Sequence, residues 1–117
     1  MPLALFIAPL LVTADVALEH QALLGAYNIL KAGEAYAISP ANKEGRYPGT
    51  PADLVKPPFS KFSFLKNKEK DLMDPWGGLY RCRTELDDRG NVRFYVWTER
   101  VVDGKVRRIG LPPPEKK

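Results

Sequence analysis

From Asp15 to about Ile38 the apolar residues recur at helical spacing. Leu23, Tyr27 and Leu30 stand at i, i+4 and i+7, and Val16 and Ile38 lie on or near the extension of that stripe. Glu19, Gln21, Asn28 and Lys31 fall mostly off it, as residues of a solvent face do. Asp15 sits at the expected start, where a carboxylate caps free amides and is favoured by the helix dipole. Ser39-Pro40 ends the helix, because a residue before proline is pushed out of the α region. The pattern predicts one amphipathic packing helix.

After residue 79 the period changes to two. Tyr80, Cys82, Thr84 and Leu86 alternate with Arg81, Arg83 and Glu85, which predicts a strand. Asp87-Asp88-Arg89-Gly90 is turn chemistry, and the run from Val92 to Glu99 is rich in aromatic and β-branched residues. Val102-Asp103-Gly104-Lys105 predicts a two-residue hairpin, since Asp-Gly tolerates the positive φ of a type I′ turn. That register pairs Val101 with Val106 and Glu99 with Arg108. An exposed pair such as Glu99–Arg108 contributes about 0.2–1 kcal/mol. The tail Leu111-Pro112-Pro113-Pro114-Glu115-Lys116-Lys117 is expected to stay outside the sheet, extended and flexible.

Between these blocks, residues 39–79 carry little periodicity. Thr50-Pro51-Ala52-Asp53-Leu54 reads as a helix start with Thr50 as cap, Pro51 in the first position and Asp53 two residues on. Ser60 to Lys66 alternates weakly, as a short strand or a turn of helix would. Phe59, Phe62 and Phe64 are expected to cover the sheet or the helix.

The first fourteen residues contain no charged side chain. The run is shorter than the roughly 20 residues that span a bilayer. It fits the apolar region of a signal peptide, with Val12-Thr13-Ala14 as a small-residue cleavage site before Asp15. Rival readings are an apolar anchor, as the truncated end of a membrane helix, and a buried helix start.

A chain of 117 residues, 44% hydrophobic, supports one core. Eleven prolines and nine glycines make its second half loop-rich. The single Cys82 excludes an internal disulfide and a multi-cysteine zinc site, and its place in a strand pattern makes it a small buried apolar residue. His20, the one histidine, has no nucleophile tied to it by a motif, and no phosphate-cradling glycine loop is present. No enzyme, small-molecule substrate or resident cofactor is expected. The formal charge is +4, and Asp15, Glu19 and Glu34 outweigh Lys31 in the first 40 residues, so the rest of the chain carries the basic excess. Arg81, Arg83, Arg93, Arg100, Arg107 and Arg108 all map to the predicted sheet. Of these, Arg81, Arg83, Arg93, Arg107 and Arg108 are candidates for contact with a protein partner or an anionic surface.

Four turn motifs carry more information than any single residue. They are Gly45-Arg46-Tyr47-Pro48, Leu54-Val55-Lys56-Pro57-Pro58, Asp74-Pro75-Trp76-Gly77 followed by Tyr80, and Asp103-Gly104. In Asp74-Pro75-Trp76-Gly77 a carboxylate, a ring-locked φ and a glycine build a rigid turn feeding a strand, with Trp76 placed to pack beneath it. In this order and over roughly residues 15–110 the chain resembles the globular domain of the major pseudopilin of bacterial type II secretion systems. The resemblance implies an α+β fold, with a long N-terminal helix packed on a small, about three-stranded antiparallel sheet. Tyr47, Pro48, Asp74, Pro75, Trp76, Gly77, Asp103 and Gly104 would be its structural residues.

The resemblance also implies a non-enzymatic subunit or accessory module of a secretion system, exported to the periplasm or cell envelope and working through protein partners there. Family members carry a basic leader, a Gly before the cut and a Phe-Thr-Leu-Ile-Glu-like helix start, and residues 1–19 do not follow that pattern. The alternative is a stand-alone envelope module that binds a protein or polyanion through a basic sheet face. The family typically binds calcium in the loop near its last strand. Here Asp103-Gly104 is followed by Lys105, Val106, Arg107, Arg108 and Ile109, without the acidic residues that close such a loop, so no calcium is expected.

Overall fold

The computed structural model of the chain describes the backbone of residues 2–115 and the side chains of residues 16–115. A single helix, α1 (Pro2–Ile38), is followed by a long connection and three strands, β1 (Arg81–Leu86), β2 (Val92–Val102) and β3 (Lys105–Leu111). The strands form one antiparallel meander in the order β1-β2-β3. This is the expected α+β arrangement, with α1 packed on one face of the sheet.

The helix departs from expectation at its start. It runs unbroken for 37 residues, about 55 Å at 1.5 Å per residue. The backbone of Asp15 therefore lies well inside the helix and not at its start. Side chains of the expected cleavage site at residues 12–14 lie outside the described residues. Among the described residues, no helix is long and apolar enough to cross a membrane.

The buried stripe is also turned by about one residue. Ala22, Ala26, Ile29, Ala32 and Tyr36 face the core, while Tyr27 is 41% and Ile38 82% exposed. Hydrophobic weight alone favours the stripe of Leu23, Tyr27 and Leu30. The seam is instead made of small residues, which let the sheet come close. Tyr80 lies over Gly25, where an added Cβ would come within 2.8 Å of its ring carbon Cζ. Phe94 lies over Gly33 in the same way, with its Cζ 2.9 Å from such an atom. The bulk missing from the helix is supplied by aromatic rings of the sheet. The Tyr80 hydroxyl also donates to the Ala22 carbonyl oxygen at 2.8 Å, so its polar end is satisfied in the core.

Strand register follows the sequence reading. Val101 faces Val106 and Glu99 faces Arg108 across the β2–β3 hairpin, and Asp103 (φ 53°) and Gly104 (φ 74°) supply the two left-handed residues its turn requires. The end of β3 corrects the expectation at the first residue of the tail. Leu111 pairs with Val96, and Pro113 is buried with its carbonyl accepting from Arg108 Nη1 at 3.3 Å. Proline donates no ladder hydrogen bond, but its carbonyl can still accept one. Lys116 and Lys117 lie outside the described residues.

The connection contains two short 3₁₀ turns, Pro51–Leu54 and Lys68–Leu72. Asp53 anchors the first, its carboxylate accepting from the Gly49 and Thr50 amides at 3.2 and 3.3 Å. Leu54, Val55 and Leu65 are buried around Tyr36, whose ring meets Phe59 at 4.8 Å and Phe64 at 5.6 Å between centroids. Phe62, expected with them, is 81% exposed. Residues 60–65 bend through side-chain hydrogen bonds of Ser60 and Ser63 instead of extending, and that bend turns Phe62 away from the core.

The seam makes a direct prediction. Gly25→Ala is expected to lower stability by about 1–3 kcal/mol through overpacking against Tyr80, despite the higher helix propensity of alanine. Urea denaturation checks this, and a variant as stable as the parent would rule out so close a seam.

Candidate functional site

Asp74 organises the turn between the connection and the sheet. It is a buried carboxylate with every oxygen engaged: Oδ1 accepts from the amides of Trp76 (2.9 Å) and Gly78 (2.8 Å), and Oδ2 accepts from the Thr98 hydroxyl. The Asp74 amide in turn donates to the Gly78 carbonyl at 2.8 Å, and Gly77 takes a left-handed φ of 86°. Thr98 lies on β2, so one side chain closes the turn and ties it to the central strand. Burial, with the Asp74 carboxylate nearby, pushes the Tyr80 phenol up to about 12.

Trp76 does not pack beneath this turn. Its ring is half-buried, with the Arg100 guanidinium 4.4 Å from its centroid. The second turn does hold its aromatic. Tyr47 stacks on Phe94 at 4.8 Å with rings 12° apart, next to buried Pro48. A column thus runs from Gly33 through Phe94 to Tyr47. Asn42 fastens the approach to it by donating to the carbonyls of Tyr36 and Arg46, both at 2.9 Å.

The strand pleat divides the six arginines between two faces. Arg100 and Arg107 point to the helix side, where both meet Glu19 of α1, at 3.6 and 2.9 Å. Arg81, Arg83, Arg93 and Arg108 share the outer face around Trp97. Arg83 and Arg108 each place a guanidinium carbon 5.8 Å from the Trp97 ring centroid, and the indole is only 4% exposed. The indole N–H donates to Glu99 at 3.0 Å, and Glu99 also pairs with Arg81 and Arg108, each at 3.6 Å. Arg83 meets Glu85 at 3.3 Å and Arg93 meets Asp87 at 3.0 Å. The Asn91 amide, with that of Arg89 and the Arg93 side chain, holds the Asp87 carboxyl below its ordinary range. Carboxylates therefore interleave the arginines, and the outer face is a mixed lattice of both signs.

Asp103 acts as a turn former. Among the described residues, no group of three His, Cys, Asp or Glu side chains is placed to hold a metal ion. His20 is exposed on α1, beside a shallow cleft of about 360 Å³ that Glu19 and Arg107 also line. Cys82 is half-buried, with Sγ 3.9 and 3.8 Å from the carbonyl oxygens of Pro48 and Gly49. Burial pushes its thiol up to about 11, which leaves almost no thiolate at neutral pH.

One feature has no counterpart in the sequence pattern. α1 stops at Ile38, but the β1–β2 hairpin continues past it. The gap is a cleft of about 650 Å³, with a floor of Ala37, Tyr47, Pro48, Thr84 and Val92 and with Glu44 and Arg46 paired at its mouth. Ile38, Leu86 and Val92 remain exposed around it. Each sits at the end of its element, where periodicity does not reveal whether a side chain is covered.

Asp74→Ala is expected to cost about 3 kcal/mol or more, since it strands two turn amides and a buried hydroxyl. Trp76→Ala removes a half-buried ring and is expected to cost less, about 1–2 kcal/mol. Thermal and chemical denaturation of the two variants rank them, and the reverse order would show that the ring, and not the carboxylate, holds the turn.

No family model matches the chain, and comparison with curated proteins and with solved structures yields no match, so function is read from the chain's own residues.

Proposed function

We propose that the chain is a non-enzymatic, pseudopilin-like structural or assembly subunit, or an accessory module, of a type II secretion system. It works in the periplasm or cell envelope by contact with protein partners. One observation carries the reading: residues 2–14, which hold no charged side chain, and the sheet-packing segment belong to the same continuous helix, α1. An assembly subunit needs such a helix, with an apolar end for neighbours and a globular end facing water. The order of the four turn motifs along the chain supports it, and three of them, around Tyr47, Asp74 and Asp103-Gly104, form ordered turns.

A second reading is a stand-alone exported module that binds a protein or polyanion through the outer sheet face. It draws on Arg81, Arg83 and Arg93, whose side chains are 59%, 52% and 59% exposed. Binding of that kind weakens steeply with added salt, whereas apolar assembly does not.

Oxidative cross-linking in the native cell separates the two. Val16, exposed on α1, is replaced by cysteine in a Cys82→Ala background. Assembly predicts a membrane-fraction ladder of cross-linked copies whose N-terminus retains Leu3–Val12. A soluble monomer beginning at Asp15 would overturn assembly and favour the stand-alone module.

A further inference from the structure

We propose that the open edge of β1, with the apolar cleft beside it, receives an extended segment of a partner protein in which apolar and acidic residues alternate, added to the sheet as a fourth strand. Three features converge there. First, β1 is an outer strand with β2 on one side only, and among the described residues the backbone of Arg81–Leu86 makes no backbone hydrogen bond beyond that ladder. Such a row of unpaired amides and carbonyls is a template for another strand. Secondly, the helix-side residues Thr84 and Leu86 are exposed, and Thr84 borders the 650 Å³ cleft together with Val92 and Ile38. A strand laid on β1 points every second side chain toward that space. Thirdly, the opposite side of the same edge carries Arg81 and Arg83, more than half exposed; each has one carboxylate partner, Glu99 and Glu85, so the two arginines outnumber the one acid, Glu85, on that face of β1. An added strand sets its remaining side chains beside these guanidinium groups, and carboxylates there complement them.

Proteins commonly guard an edge with charges that point inward, or with proline. On β1 the charges lie on the outer face alone, and the inward positions are Cys82, Thr84 and Leu86. A second copy is a poorer occupant than a separate segment. Two-fold pairing of β1 centred on Arg83 sets arginine against arginine at the axis; it also sets Arg81 against Glu85, but it places Leu86 opposite Tyr80, whose ring α1 already covers. Centred on Thr84, it drives Leu86 of each copy toward Cys82, where the Pro48 and Gly49 carbonyls already sit within 4 Å of the thiol sulfur.

The test uses the full chain and a capped synthetic peptide, acetyl-Gly-Glu-Val-Glu-Val-Glu-Val-Gly-amide. Its control carries proline at the central valine, which removes the donor that strand addition needs. Amide chemical shifts and hydrogen exchange are followed during titration to millimolar peptide. The expected result is protection of every second amide within Arg83–Leu86, the set that faces away from β2, with shifts there and at residues lining the cleft, absent with the proline control. Thr84→Lys, an exposed change checked by circular dichroism for an intact fold, is expected to weaken binding at least about tenfold. Val92→Lys is the second such variant and should act in the same direction. Absence of shifts at β1, shifts confined to the Trp97 face, equal binding of the proline control, or sedimentation as a dimer through this edge would each overturn the proposal.

Discussion

Tyr80 and Phe94 stand with their rings over Gly25 and Gly33, and that pair of contacts sets the distance between α1 and the sheet. Protein interiors are close-packed, so a helix with large residues on this face would ride higher and leave the aromatic rings without a surface. The same closeness recurs at Gly110, whose φ of 123° carries β3 past Ala26 where no Cβ would fit. From this spacing the other positions follow. Tyr47 rests on Phe94, the Gly45–Pro48 turn rests on Tyr47, and the Tyr80 hydroxyl reaches a helix carbonyl. The core is thus a set of rings held between two backbones.

Polar contacts handle what the rings cannot. The long connection has few ladder hydrogen bonds, and backbone turn bonds share the task of satisfying it with side chains of two or more acceptor sites: Asp53 at the first 3₁₀ turn, Ser63 near Leu65, and Asp74 at the entry to the sheet. A buried carboxylate is costly unless fully partnered, and Asp74 is fully partnered. Trp76, the more conspicuous residue of that turn, serves as a platform for Arg100.

Residues with local signatures were legible in the sequence. The meander, the Asp103-Gly104 hairpin and its register, and the first 3₁₀ turn all depend on dihedral preferences and period-two patterning, which act between near neighbours. The helix face was misread because Ala22, Gly25, Ala26 and Gly33 carry little hydrophobic weight, and their partners, Tyr80 and Phe94, lie more than fifty residues away. Phe62 and the proline tail failed for a related reason. A phenylalanine looks like core, and a proline run looks unattached, until tertiary contacts decide. Of the candidate site, the pattern placed the arginines on the strands. The carboxylates between them, and the cleft past the helix end, depend on which strand lies next to which.

Glu19 is the last described residue of α1, counting toward its start, that meets both β2 and β3, through Arg100 and Arg107. Beyond it the helix continues to Pro2, a further run of about 25 Å. Mechanically this is a lever with Glu19 near its fulcrum. A tilt of about 10° at the sheet sweeps the far end through roughly 4–5 Å, close to the width of one helical turn. Small adjustments in how the aromatic rings seat against the helix glycines are thereby magnified at the apolar end of the molecule.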